Sequence, residues 1–253
     1  MQELQINKID ALELQSFVKK LLSIDKFIFM KVSNEKTVSS VFLPQRDAVK
    51  LVSVDTKDLF EAAEEIDKTI KVSFFNGTKV IEALSHFNGE IKGTIVYQDY
   101  GDEYIATDFI VYDDDLKINL FCSDPSLSFM EMSKEEISRA FSTASSLFSY
   151  ELLTVNADKI KSLFNLDKEN ELYTLYADEK GVHVKGDNYD QLLTARYTSN
   201  SDDELKVKVY KKYLPLLDKE NYEMTVCNNK IVFKSLDTDT LLTIAVAITD
   251  DDE

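Results

Sequence analysis

Residues 205–226, LKVKVYKKYLPLLDKENYEMTV, decide how this chain is read. Leu205, Val207 and Val209 alternate with Lys206 and Lys208, the period of two of a half-buried strand. Tyr213, Leu214, Leu216 and Leu217 then form the apolar side of a short helix. Pro215 limits that helix, because proline is tolerated only in a first turn. DKEN makes a turn, and residues 222–226 resume a strand. This unit of strand, short helix and strand has an echo in residues 70–84, IKVSFFNGTKVIEAL, offset by 135 residues from Ile70 to Leu205. Ile70-Lys71-Val72 lies over Leu205-Lys206-Val207, and Phe74-Phe75 over Val209-Tyr210. Val80, Ile81 and Leu84 supply the second apolar face. Repetition at such a spacing predicts a duplicated architecture.

Outward from this stretch, each half repeats one order: strand, helix, three strands, strand, helix, three strands. In the first half residues 4–9 alternate as a strand, and Asp10 is placed to cap a helix over 11–24. That helix carries Leu14, Phe17, Val18, Leu21 and Leu22 at helical spacing, with Lys19 and Lys20 toward the other side. Strands are predicted over 27–32, 37–43, 48–54, 104–112 and 117–122, with Asp113-Asp114-Asp115 as a turn. The acidic stretch 58–68 fits a loop or an exposed helical turn equally well. The second half opens with a strand over 152–155 and a helix capped by Asn156, with Ile160, Leu163 and Phe164 inward. Strands over 172–177, 181–185, 191–198, 230–236 and 241–248 complete it. Residues 125–150 are rich in serine, with a helical pattern over 134–148, and read as a connector. The expected fold is α+β, two tandem domains at 1–124 and 151–249, each with two helices on antiparallel sheet. Residues 250–253 form a solvated acidic tail.

The 253 residues are 44% hydrophobic, enough for two cores. No apolar run approaches the roughly 18 residues that a membrane span needs. The opening MQELQINKID lacks a signal peptide's basic end and apolar segment. Cys122 and Cys227 sit in strand-like runs and are expected as buried free thiols, which with the missing signal points to the cytoplasm. The net charge of −17 argues against an open basic surface for nucleic acid, whose affinity comes from phosphate neutralisation. It allows a protein whose basic residues are gathered on one inner face. As a plain alternative, acidic charge merely keeps the protein soluble.

No catalytic signature is present: no GxSxG, HExxH, glycine-rich phosphate loop or CxxC. His86 and His183 are far apart in sequence, and both are expected to be structural. Asp237-Thr238-Asp239-Thr240 lacks the glycine and terminal glutamate of a calcium loop and reads as a hairpin turn. No enzyme activity, metal or cofactor is expected.

The pattern resembles the DNA sliding clamps, most closely the two-domain kind found in phages and, more distantly, proliferating cell nuclear antigen. LTVNADKIKSLF, residues 153–164, looks like the clamp's opening strand and first helix. VYKKYLPLLDKENYEMTV, residues 209–226, resembles its strand, second helix and turn. LLTIAVAITDDDE, residues 241–253, resembles the closing strand and acidic end. The first half matches less closely in its middle strands, its acidic stretch and its connector.

The resemblance implies a homotrimeric ring whose helices line a hole around duplex DNA. It also implies a DNA polymerase and a clamp loader as partners, with no membrane. A ring that cannot leave the strand raises the polymerase's effective concentration there, and in a viral setting this happens in the host cytoplasm. The residues it directs toward DNA are Lys19 and Lys20, Lys79, Lys159, Lys161 and Lys168, and Lys211 and Lys212. The plain alternative is that these are solvated lysines on helix surfaces. A pocket for a partner's peptide, beside the connector and the C-terminal segment, would draw on Leu127, Phe129, Met130 and Ile248. As a plain alternative these four simply seal an interdomain core. Other readings stay open at this level: a clamp fold without encirclement, an acidic β-rich assembly protein, and a hydrolase built on paired carboxylates.

Overall fold

The computed structural model describes residues 1–87, 90–123, 131–167, 169–199 and 205–247. The chain divides into unit 1, Met1–Leu43 with Lys50–Ser133, and unit 2, Pro44–Val49 with Lys134–Glu253.

Unit 1 runs β1 (Gln2–Ile9), α1 (Ala11–Leu22), β2 (Ile28–Val32), β3 (Lys36–Phe42), β4 (Ala48–Asp55), a one-turn α2 (Thr56–Leu59) and β5 (Phe60–Ala62). It continues β6 (Ile70–Phe74), α3 (Gly77–Ser85), β7 (Ile91–Asp99), β8 (Tyr104–Tyr112) and β9 (Lys117–Phe121). One layer has the order β4-β3-β2-β6, the other β9-β8-β7-β1-β5. The layers join where β6 and β8 run parallel, Ile70 beside Tyr104 and Lys71 beside Ile105. β2 runs antiparallel to β3 and β6, and β8 to β7 and β9. The Asp10 carboxylate starts α1, accepting the N–H groups of Leu12 at 3.1 Å and Glu13 at 3.0 Å. Leu14, Phe17, Val18 and Leu21 form its buried face, each contributing about 1.5–3 kcal/mol of transfer free energy. α1 packs on α3, whose Gly77 lies so close to β2 that a Cβ there would be 2.4 Å from Ile28 Cγ1.

Unit 2 runs α4 (Lys134–Phe141), β10 (Ser146–Leu152), α5 (Thr154–Phe164), β11 (Leu172–Asp178), β12 (Gly181–Lys185), β13 (Asp190–Thr194) and β14 (Thr198–Ser199). Then come β15 (Lys206–Tyr210), a 3₁₀ helix (Lys211–Leu216), β16 (Tyr222–Cys227), β17 (Lys230–Ser235) and β18 (Thr240–Ala245). Its layers have the orders β13-β12-β11-β15 and β14-β10-β16-β17-β18, matching unit 1 strand for strand. The 135-residue offset is real in space: it maps Ser73 of β6 onto Lys208 of β15. Each receives the chain that follows its unit's last strand, Ser123 on Ser73 and Ala247 on Lys208.

Several expected boundaries move. The helical pattern over 134–148 ends at Phe141, because residues 142–145 form a turn closed by the Ser146 N–H on the Thr143 carbonyl at 3.0 Å. Leu147 keeps helical spacing but lies in β10, whose inward residues are Phe148, Tyr150 and Leu152. The strand expected over 152–155 therefore ends where it was to begin. Asn156 does not cap α5; it lies in the first turn and donates to the Leu193 carbonyl at 3.3 Å. The strand expected over 191–198 is broken into β13 and β14. The acidic stretch resolves into the end of α2, then β5, then loop. Both cysteines are free thiols; Cys227 is buried and Cys122 half-buried, with burial pushing the Cys122 thiol up to about 12.

The chain on either side of residues 124–130 is pinned to one strand of unit 1. Before it, the Ser123 N–H donates to the Ser73 carbonyl at 2.9 Å, and the Ser73 hydroxyl donates to the Ser123 carbonyl. After it, the Glu131 carboxylate bridges the Lys31 and Lys71 ammonium groups, the latter at 2.6 Å, and Glu103 also pairs with Lys71. Lys31 and Lys71 stand directly opposite on β2 and β6. Two like charges so placed repel, and Glu131 together with Glu103 balances them. Burial works against the charge on Glu131, but the two ammonium groups outweigh it and hold the carboxyl below its ordinary value.

Candidate nucleic-acid interface

The repeated helices concentrate positive charge. α1, α3, α5 and the 3₁₀ helix carry seven lysines (Lys19, Lys20, Lys79, Lys159, Lys161, Lys211 and Lys212) against three acids (Glu13, Glu82 and Asp158). In a chain of net charge −17 that excess is a property of these elements, not of composition.

In unit 1, Lys19 is exposed and Lys20 half-buried, both in the last turn of α1, where the helix's partial negative charge favours cations. Lys79 is exposed in the first turn of α3, the helix packed against α1. In unit 2, Lys159 is exposed and Lys161 half-buried on α5. Lys168 lies outside the described residues.

The two lysines of the 3₁₀ helix differ. Lys211 is folded inward, its side chain 14% exposed, donating to the Asp167 carbonyl and lying 5.1 Å over the Phe164 ring. It braces the helix against the end of α5, so it offers little charge to a ligand. Lys212 is 54% exposed and pairs with Asp47 Oδ2 at 3.0 Å. The Tyr213 hydroxyl donates to the same oxygen at 2.7 Å. Burial alone would raise the Asp47 carboxyl; the Tyr213 and Lys212 bonds overcome it and hold the group below its ordinary value. Burial and Asp47 together push the Tyr213 phenol up to about 12, and the Asp47 bond raises Lys212. Asp47 belongs to unit 2, and its carbonyl also accepts the Ala245 N–H at 2.7 Å. Nothing in the sequence signals this pairing, which joins residues 165 positions apart.

Leu127, Phe129, Met130 and Ile248 all lie outside the described residues. His183 sits on β12, its ring stacked 4.7 Å from Tyr176, with Nε2 3.2 Å from Asp178 Oδ1 and Nδ1 3.5 Å from Asp190 Oδ1. His86 follows α3 as its C-cap. Among the described residues, no group of three or more His, Cys, Asp or Glu side chains could hold a metal ion. No helix among them is long and apolar enough to cross a membrane.

The comparisons with known proteins place this fold. The proliferating cell nuclear antigen of A. fulgidus, solved with the C-terminal region of FEN-1, matches with a TM-score of 0.63 at 12% identity, over 98% of this chain and 99% of that one. That of Entamoeba histolytica matches with a TM-score of 0.67 at 14% identity, over 97% and 98%. The H. pylori beta clamp gives a TM-score of 0.67 at 14% identity, over 98% of this chain and 64% of the longer clamp chain. No protein-family model matches the sequence, and no curated protein matches it. The chain has the fold of the DNA sliding clamps, as its duplicated pattern led us to expect.

Proposed function

We propose that this protein is a sliding clamp: a homotrimeric ring that encircles duplex DNA and tethers a replicative DNA polymerase, with no catalysis of its own. The observation that carries this reading is the duplication itself. Both units repeat one strand order, and each ends a layer on an unpartnered strand. Among the described residues β9 pairs only with β8, and β13 only with β12. Phe121 on β9 is 77% exposed and Leu192 on β13 is 42% exposed. Such open edges are an aggregation liability unless another strand covers them, and β9 of one copy beside β13 of the next would use both.

Lysines on both units' repeated helices support DNA as the guest. Lys19, Lys20, Lys79, Lys159 and Lys161 are the residues we assign to the bore, joined by Lys168 and Lys212; Lys211 contributes by bracing. A ring linked topologically needs few phosphate contacts, and an acidic exterior repels DNA elsewhere. The domain limits 1–124 and 151–249 remain our assignment, as does a partner-peptide pocket drawing on Leu127, Phe129, Met130 and Ile248. A loader would supply any ATP chemistry, and the setting is cytoplasmic.

Light scattering over a range of concentrations tests the ring. A mass of three chains is expected; a monomer that persists at high concentration overturns it. With the trimer in hand, Lys19, Lys79 and Lys159 changed together to glutamate should shorten polymerase run length on primed DNA and leave the mass unchanged. Unaltered run length would return these residues to ordinary surface lysines.

A further inference from the structure

The first strands of the two units differ along one edge. In unit 1, β5 follows β1 to its last residue, with Ile6 opposite Ala62, Lys8 opposite Glu61 and Ile9 opposite Phe60. The Ala63 N–H donates to the Gln5 carbonyl and the Asp10 N–H to the Leu59 carbonyl, both at 2.8 Å, so the edge is covered from Gln5 to the end of β1. In unit 2 the corresponding β14 meets β10 only at Phe148 and Ser149. Among the described residues, no strand pairs with this edge of β10 from Tyr150 to Leu152.

A cleft of about 680 Å³ opens at that edge, with Glu151, Leu153, Arg196, Tyr197, Glu223 and Leu236 among its walls. Two of these are apolar and half in solvent: Leu153 is 46% exposed and Leu236 50%. Two are acidic and stand directly opposite one another, Glu151 on β10 and Glu223 on β16. Facing carboxylates repel across a strand pair, and among the described residues neither has an ion pair or side-chain hydrogen bond. With Arg196 the cleft still carries more negative than positive charge.

Unit 1 indicates what belongs there. Its β1 residue next to last, Lys8, stands in register with Glu61 on the added strand, and its ammonium pairs with Glu90 at 3.2 Å. Glu151 holds the same place in β10 and has no such partner. We propose that unit 2 binds an extended segment of a partner protein by strand addition. Its backbone pairs with Tyr150–Leu152, a lysine or arginine sits opposite Glu151, and flanking apolar side chains rest on Leu153 and Leu236. The cleft is lined by residues of unit 2 alone.

The test is an amide NMR titration of the full isotope-labelled chain with two blocked pentapeptides, TVKVT and TVEVT. The lysine probe should shift the amides of Tyr150, Glu151, Leu152 and Tyr197 and bind about fivefold tighter than the glutamate probe, the scale of a few cross-strand charge contacts. Glu151→Lys should reverse that order. Glu151→Gln, which keeps the shape, should narrow the gap and carries the test if the lysine variant fails to fold. The proposal is overturned if neither probe moves these amides at millimolar concentration. It is equally overturned if the probes bind alike, or if the order survives both substitutions.

Discussion

The first turns of α1 and α5 occupy equivalent places in the two units and are built by opposite means. α1 is capped by Asp10, the residue just before it, whose own N–H is held by the Leu59 carbonyl at 2.8 Å. α5 begins after Leu153, which has no capping side chain; its Thr154 N–H is met by Asn221 Oδ1 at 3.1 Å, from a position 67 residues on. The second helices diverge likewise. In unit 1 close approach requires Gly77. The 135-residue offset brings Lys212 to that place in unit 2, where the helix is 3₁₀ and the side chain reaches Asp47. One topology thus tolerates a unit finished from local residues and a unit finished from distant ones. The second keeps an edge free, and the first has none to spare there.

Core truncation should separate the units most. Phe17→Ala empties a site on a helix with four buried apolar residues and is expected to cost about 3–5 kcal/mol. Ile160→Ala, on a helix that buries only Ala157 besides, should fall near 2 kcal/mol, at the low end for such changes. Urea unfolding with a probe in each unit measures both, and equal costs would erase the contrast.

Gly77→Ala comes next, at about 1–3 kcal/mol, because the added methyl has no room beside Ile28. Lys212→Ala at the equivalent place should lose about 0.5 kcal/mol, the scale of an exposed ion pair. Similar melting shifts for the two would remove the contrast between the second helices.

Asp47→Asn should cost about 1 kcal/mol at neutral pH by weakening the bonds from Tyr213 and Lys212. A carboxyl held below its ordinary value stabilises the fold above the usual carboxylate range, and that contribution fades as pH falls through its folded value. Acid titration of stability should therefore be shallower in Asp47→Asn below about pH 4. Identical acid limbs would mean that the carboxylate contributes nothing special. The caps act on the same scale as Asp47. Asp10→Ala and Asn221→Ala should each cost about 1 kcal/mol, the first speeding amide exchange at Leu12 and Glu13 and the second at Thr154. Exchange that spreads through a whole unit in either variant would show that the cap holds more than one turn.

The same division between local and distant explains what could be read from sequence. Asp10 was legible because a cap and its helix are neighbours. The match of β6 with β15 was legible because alternation and offset both survive in the letters. The start of β10 was hidden because Leu147 continues a helical spacing begun by Ile137 and Phe141. The cap on α5 was hidden because Asn221 lies far along the chain. Lys211 and Lys212 read alike in sequence, and only the positions of Asp167, Phe164 and Asp47 turn one inward and leave the other near the surface. The open edge of β10 depends on how short β14 is, and no residue type announces that.

The serine pair at Ser73 and the carboxylate of Glu131 give the chain a form of redundancy. Both ends of the stretch 124–130 are held on β6, two residues apart, by bonds that do not run through the stretch itself. A protease that cuts anywhere inside it would release neither end. The nicked protein should run as one species in a native gel and as two fragments in detergent. Since Glu131 holds by charge and Ser123 by neutral hydrogen bonds, concentrated salt should loosen the later end first.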